Sequence, residues 1–265
     1  MSPIGTAAEL PDVTISESAG VRYLHLGTPW IQGAMRIDEP LAIELEYVRR
    51  MMVWMLVREP AALAGAHAVQ LGLGAGAITR FCSKRLKMRT TAVELNPRVI
   101  GACRHWFRLP ADSPGFAVIE MNAKAFVADP KRRGSADVLC VDLYDHEAAS
   151  PVLDSAEFYR QCFALLADGG VMTVNLFGRD ASFETSSRRI AAAFGAGAVL
   201  TMQPTKEGNT VVLAMKQVTV PGRDELARRA ENIETRWQLP AGKWLRMMRP
   251  VPAASPALLP NPPPA

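Results

Sequence analysis

From Ala68 onward the chain repeats one unit, a short apolar run of strand type followed by a stretch with helical periodicity. The strand-like runs cover residues 68–73, 89–94, 116–120, 136–142, 169–177, 197–202 and 209–216. Helical patterning fills residues 76–87, 96–107, 122–129, 154–167 and 182–194, with Asp154 placed to cap the fourth of these and Glu157 three residues on. Parallel strands need crossovers of a dozen or more residues, and helices supply them. The alternation therefore predicts an α/β fold, a seven-stranded and mostly parallel sheet covered on both faces. Only residues 203–208 separate the last two runs, too few for a crossover, so that pair closes the sheet antiparallel.

The flanks read differently. Val13 to Ser16 and Val21 to Leu26 alternate around Ser18, Ala19 and Gly20, which predicts a small antiparallel hairpin. A helix is expected over residues 40–59, with Pro40 in its first turn and Leu41, Leu45, Val48, Met52 and Met55 on one face. One more helix is expected over residues 222–237. From Pro250 to the end, 7 of 16 residues are proline, a composition that favours disorder or polyproline structure. Three parts result: residues 1–60 as the β-hairpin region with its linking helix, 61–249 as the main domain, and 250–265 as the tail.

Composition narrows the class. Hydrophobic residues make up 49% and charged residues 21%, which excludes a disordered or collagen-like chain. Residues 60–79 carry no charge but contain four glycines, Gln70 and His67, so they read as strand plus turn rather than a lipid-facing helix. The first residues lack both the basic and the apolar part of a signal peptide, and a cytoplasmic protein is expected. Residues 1–60 carry 8 acidic and 5 basic side chains and the remainder 18 and 25, a balance of −3 against +7. The densest basic stretch, from Arg223 to Arg249, is interleaved with Asp224, Glu225, Glu231 and Glu234 and reads as a solvated helix face, not a nucleic-acid site. The cysteines at 82, 103, 140 and 162 form no metal-ligand or disulfide spacing, and no metal is expected.

The chemistry concentrates where strands end. The first α/β unit turns through Gly72, Leu73, Gly74, Ala75 and Gly76, a small-residue turn of the kind that lets backbone approach a ligand. About 20 residues later the second strand ends in Glu94, a carboxylate able to accept both hydroxyls of a ribose. Together these features predict a nucleoside site, either for a dinucleotide or for an S-adenosylmethionine-type molecule. The turn lacks the Gly-x-Gly-x-x-Gly spacing that seats a pyrophosphate, and the antiparallel closing hairpin favours the second class. Asn122, just after the third strand, can bond an adenine amino group, cap the next helix, or do both. The fourth strand ends in Asp142, followed by Tyr144, Asp145, His146 and Glu147. Carboxylates at the carboxyl edge of a sheet can hold a cationic amine and take the proton it must lose before attacking an electrophile.

These residues resemble the spermidine synthase, or polyamine aminopropyltransferase, family. The likeness rests on the run from Leu71 to Gly76, on Glu94, on Asp142-x-x-Asp145, and on Glu157, Phe158 and Tyr159 followed by Leu165 to Gly170. It extends to Trp30, Ile31 and Gln32 ahead of Tyr47 and to the closing run from Gly208 to Val212, and so spans roughly residues 12 to 216. The resemblance implies a Rossmann-like, class I methyltransferase-like fold and transfer of an aminopropyl group from decarboxylated S-adenosylmethionine to a small amine acceptor. By position it implies that Gly72, Gly74, Gly76, Glu94, Asn122 and Gln32 bind the donor. It implies Asp142 as base, and Asp145, Tyr47 and Tyr144 around the reacting amine. No nucleic acid or membrane partner is expected, and a homodimer is left open.

Three departures fall on the amine side. Ala75 stands where the family's turn usually carries Asp, Val48 where it usually has Gln, and residues 203–208 replace an aromatic loop. The missing turn carboxylate would otherwise repel the carboxylate of intact S-adenosylmethionine. Methyl transfer from that donor is therefore the second reading, and a nucleoside-binding protein without catalysis is the third.

Overall fold

The computed structural model describes residues 10–143, 153–177 and 181–251. An antiparallel sheet near the N-terminus contains β1 (Val13–Ser18), β2 (Val21–Leu26) and β3 (Gly33–Arg36). The first turn needs left-handed backbone at both Ala19 and Gly20 (φ 49° and 75°), the geometry that matches strand twist in a two-residue hairpin. The third strand goes beyond the expected hairpin; four residues are too few to show alternation, and β3 is defined by pairing with β2, Tyr23 opposite Ala34.

The linking helix is shorter than its sequence pattern. Helix α1 spans Glu46–Met51 and tightens into a 3₁₀ turn over Met52–Leu56. Residues 40–45 stay outside it because their carbonyls serve arginines: Pro40 accepts from Arg80 Nε at 3.0 Å and Ile43 from Arg49 Nε at 2.5 Å. From Met51 to Val57 every side chain is buried, so this segment threads the core instead of presenting one face to it.

The main sheet has eight strands, one more than expected, in the order β11-β9-β10-β8-β7-β4-β5-β6. Its parallel half comprises β4 (His67–Leu71), β5 (Arg89–Glu94), β6 (Phe116–Glu120), β7 (Ala136–Val141) and β8 (Leu166–Phe177). Helices α2 (Ala77–Arg80), α3 (Pro97–Trp106), α4 (Ala123–Ala128) and α5 (Ala156–Leu165) connect these strands, and α6 (Ala181–Phe194) leads to β9 (Val199–Thr201). Strand β10 (Asn209–Met215) inserts antiparallel between β8 and β9, as the short 203–208 connection requires. The central parallel strands β4 and β7 are buried on both faces, which explains their continuous apolar character, while β6 at the edge is mostly half-buried.

Helix α5 is capped by Ser155, whose hydroxyl accepts from Phe158 N–H at 3.0 Å, and not by Asp154. Asp154 is drawn instead to the Arg189 guanidinium on α6 at 2.6 Å and to the Tyr159 hydroxyl at 2.8 Å. Helix α7 (Arg223–Trp237) is only partly the solvated face its charges suggest. Its Arg229 is buried, binding Glu59 and Glu225 at 2.7 and 2.6 Å and the Arg58 carbonyl at 2.9 Å, and so fastens α7 to the end of the linking segment. No helix among the described residues is long and apolar enough to cross a membrane.

The eighth strand corrects the expected tail boundary. After α8 (Ala241–Met247), β11 (Arg249–Pro250) pairs with β9. The Val251 N–H then reaches the Val199 carbonyl at 3.2 Å while its side chain is buried. Proline is tolerated here because an edge strand leaves one side of its backbone unpaired. Burying the valine is worth about 2 kcal/mol. A chain ending at Met248 should therefore melt roughly 5 °C below one ending at Val251 in calorimetry. Equal melting temperatures would show that the edge strand contributes nothing.

Candidate active site

The carboxyl ends of β4, β5, β6 and β7 converge on one edge of the sheet, where ligands of open α/β sheets bind. Gly72, Gly74 and Gly76 carry the chain from β4 into α2 with φ of 83°, 51° and 70°. Their neighbours are protein atoms. A side chain at Gly72 would collide with the Asp142 carbonyl oxygen, and one at Gly74 would lie 3.0 Å from the Gln32 carbonyl oxygen. The glycines thus let the turn fit between the end of β7 and the segment leading to β3, which brings Gln32, Ala75 and Asp142 around one pocket.

Buried polar groups hold the turn from behind. Gln70 Nε2 donates to the Gly72 carbonyl at 2.7 Å and its side-chain oxygen accepts from the Thr79 hydroxyl. Arg80 donates to the carbonyls of Ala75 at 2.5 Å and Phe107 at 2.8 Å, and the Cys103 thiol to that of Gly74 at 3.1 Å. Burial pushes Arg80 down to about 10 and Cys103 up to about 12, so both keep their protons at neutral pH. The cysteines at 82, 103, 140 and 162 are all buried and unpaired. Among the described residues no cluster of three or more histidine, cysteine or acidic side chains is placed to hold a metal.

Glu94 closes the turn on its other side. One carboxylate oxygen accepts from Leu73 N–H and the other from Asn96 N–H, both at 2.9 Å. Burial raises its pKa, and those backbone donors oppose the rise. Each oxygen retains a second lone pair, so the carboxylate can still accept ribose hydroxyls. Asn122 lies at the end of the neighbouring strand and caps α4, accepting from Lys124 N–H at 2.8 Å. Its oxygen likewise keeps a lone pair for an amino group.

Asp142 is the hub of the second half of the site. One oxygen accepts from Asn175 Nδ2 at 2.8 Å and the other from the Tyr47 hydroxyl at 3.2 Å. The residue opens onto the pocket, yet surrounding protein raises the carboxyl pKa, the two donors opposing the rise. The same pocket is lined by Gln32, Tyr47, Val48 and Ala75, with Asp142 the only acidic side chain among the described lining residues. Tyr47 reaches it because α1 starts just ahead, at Glu46. Tyr144 and Asp145, and with them His146 and Glu147, lie outside the described residues.

Sequence patterning did not reveal Asn175, Gln70 or Asn209. Their strands also carry His67, Thr173 and Thr210, so the available signal is no more than an amide in a mostly apolar strand, which needs partners if buried. Residues 203–208 form a compact turn. Arg50 of α1 binds the Gln203 carbonyl at 2.5 Å, and Thr205 is buried and exchanges hydrogen bonds with Asn209.

No family model matches the chain. Among solved structures, a probable spermidine synthase from Corynebacterium glutamicum superposes with a TM-score of 0.69 at 18% identity, covering 84% of this chain and 83% of that one. Human methyltransferase-like protein 13 in complex with SAH superposes with a TM-score of 0.64 at 20% identity, covering 74% of this chain and 93% of that one. These likenesses establish the fold, a methyltransferase-like sheet with a small antiparallel sheet ahead of it. Sequence carries the relationship further. A curated polyamine aminopropyltransferase from Chromobacterium violaceum is 31% identical over 242 residues, 91% of this chain and 90% of the relative. With that identity sustained over nine-tenths of its length, the chain belongs to the polyamine aminopropyltransferase family.

Proposed function

We propose that this protein transfers an aminopropyl group from decarboxylated S-adenosylmethionine to a small amine. The observation that carries the reading is Asp142, a shielded carboxylate with two fixed donors, facing a pocket beside the glycine turn. Glu94 holds the ribose and Asn122 the adenine, on the far side of the turn. Gln32 and Tyr47 line the chamber for the reacting tail and the acceptor, and the family resemblance assigns Tyr144 and Asp145, which lie outside the described residues, to the acceptor amine.

In this reading the Asp142 carboxylate takes a proton from the acceptor ammonium. The freed nitrogen lone pair then attacks the propyl carbon bonded to the sulfonium. The C–N bond forms as the C–S bond breaks, and the departing electron pair neutralises the sulfur to leave 5′-methylthioadenosine. The elevated pKa of Asp142 suits this task, because a stronger base accepts the proton more readily. Turnover should accordingly rise with pH through the ionisation of Asp142.

Ala75 keeps the second reading, methyl transfer, in view. Its side chain lines the pocket and brings no charge to it. A carboxylate here would repel a donor carboxylate about 4 Å away by roughly 4 kcal/mol at an effective dielectric of 20. Calorimetric titration with the intact and decarboxylated donors tests both points. The wild type should bind the decarboxylated donor, and Ala75→Asp should shift the ratio of dissociation constants toward it by at least about tenfold. No heat with either nucleoside would contradict the proposal, and an unchanged ratio would place Ala75 away from the donor carboxyl.

A further inference from the structure

Asp142 is held from β8 by an amide whose orientation is itself fixed. Asn175 is buried on β8, beside the end of β7, and its Nδ2 donates to Asp142 at 2.8 Å. Behind it, Asn209 Nδ2 donates to the Asn175 side-chain oxygen at 3.2 Å. An asparagine amide has one accepting end and one donating end. With the accepting end engaged by Asn209, the donating end is the one presented to Asp142. Asn209 is pinned in turn: its N–H donates to the Thr205 hydroxyl at 3.2 Å, and its carbonyl accepts from Thr205 N–H at 2.8 Å.

The geometry points to Asn175 as a positioning residue, oriented by Asn209, that keeps the Asp142 carboxylate aimed into the pocket and ready to accept a proton. The inference rests on Asp142 serving as the base. Two strands of the sheet act together in this relay. The antiparallel insertion of β10 next to β8 sets Asn175 directly opposite Val211, two residues from Asn209. The closing hairpin, whose turn is tied to α1 through Arg50 and the Gln203 carbonyl, therefore bears on the reacting carboxylate from two sides, through Asn175 and through Tyr47.

The relay has an electrostatic consequence. A donor aimed at a carboxylate favours its ionised form, while burial favours the neutral one. Among the described residues the titratable groups facing Asp142 are the Tyr47 phenol from α1 and the Cys140 thiol from β7; β4 and β8 bring no charged group to it. Burial pushes Cys140 up to about 12, so it stays neutral across the working range.

The test follows the Asp142 carboxyl directly. Difference infrared spectroscopy identifies its protonated band as the one absent in Asp142→Asn, and the pH midpoint of that band is measured beside the pH profile of kcat. In Asn175→Val the midpoint and the acid limb of kcat should both move up by about one pH unit. The affinity for 5′-methylthioadenosine should stay within about twofold, a factor below 0.5 kcal/mol. In Asn209→Val both should move the same way by about half a unit, and this variant carries the test if Asn175→Val fails to fold. Midpoints unmoved in the folded variants would overturn the relay. Midpoints that move while the acid limb stays put would uphold the relay and overturn Asp142 as the base.

Discussion

Asp142→Asn should lower turnover by roughly 100-fold or more and leave nucleoside affinity nearly unchanged. The substitution preserves shape and hydrogen bonding. The new amide oxygen can accept from Asn175, and the new amide nitrogen can donate to the Tyr47 hydroxyl. Only proton acceptance is lost. A variant that keeps more than about a third of wild-type turnover would remove Asp142 from the role of base. Stability should move the other way. Because the folded pKa of Asp142 lies above its ordinary 3.8, the folded state retains the proton longer than the unfolded chain as pH rises. The wild type therefore loses stability through that window, and the loss is complete once the folded carboxyl has ionised. The melting temperature of Asp142→Asn should match or exceed that of wild type at neutral pH, with the difference vanishing in acid below the unfolded pKa. A lower melting temperature at neutral pH would mean that the carboxylate holds the fold together.

The second large effect belongs to Glu94. Losing a charged acceptor shared by two ribose hydroxyls should cost about 2–3 kcal/mol, roughly 30- to 150-fold in nucleoside affinity. Glu94 also accepts from Leu73 and Asn96, so Glu94→Gln turns an amide NH₂ toward one backbone N–H and disturbs the turn. A cycle with a 3′-deoxy nucleoside separates these contributions. If Glu94 binds the ribose, the substitution should weaken the ribonucleoside by about tenfold more than the deoxy analogue. Equal losses would mean that Glu94 acts by shaping the turn, and the ribose contact would have to be reassigned.

The parts of this protein written in periodicity were legible, and the parts written in tertiary adjacency were not. Strand–helix alternation from Ala68 to Met215 announces the parallel sheet because parallel strands are buried on both faces and need long crossovers. The short 203–208 connection announces the antiparallel strand for the complementary reason. By contrast, β11 is two residues, one of them proline, and only its pairing with β9 marks it as a strand. The linking helix is shorter than its pattern implies because apolar spacing continues back to Leu41, whereas the carbonyls of Pro40 and Ile43 are bound to arginines distant in sequence or reaching back along it. In the site, Glu94 and Asp142 stand out as acids at apolar strand ends. Asn175 does not, since its meaning depends on β8 lying beside β7 and on Asn209 standing behind it.

Product analysis of a single incubation decides which group is transferred. The purified protein is supplied with decarboxylated S-adenosylmethionine, or with the intact donor, and a panel of small amines, and the products are resolved by mass spectrometry. Aminopropyl transfer predicts an amine heavier by one aminopropyl group, with 5′-methylthioadenosine in equal amount, from the decarboxylated donor. It predicts loss of both products in Asp142→Asn. S-adenosylhomocysteine and a methylated acceptor from the intact donor, with no aminopropylated amine from the decarboxylated one, would contradict it.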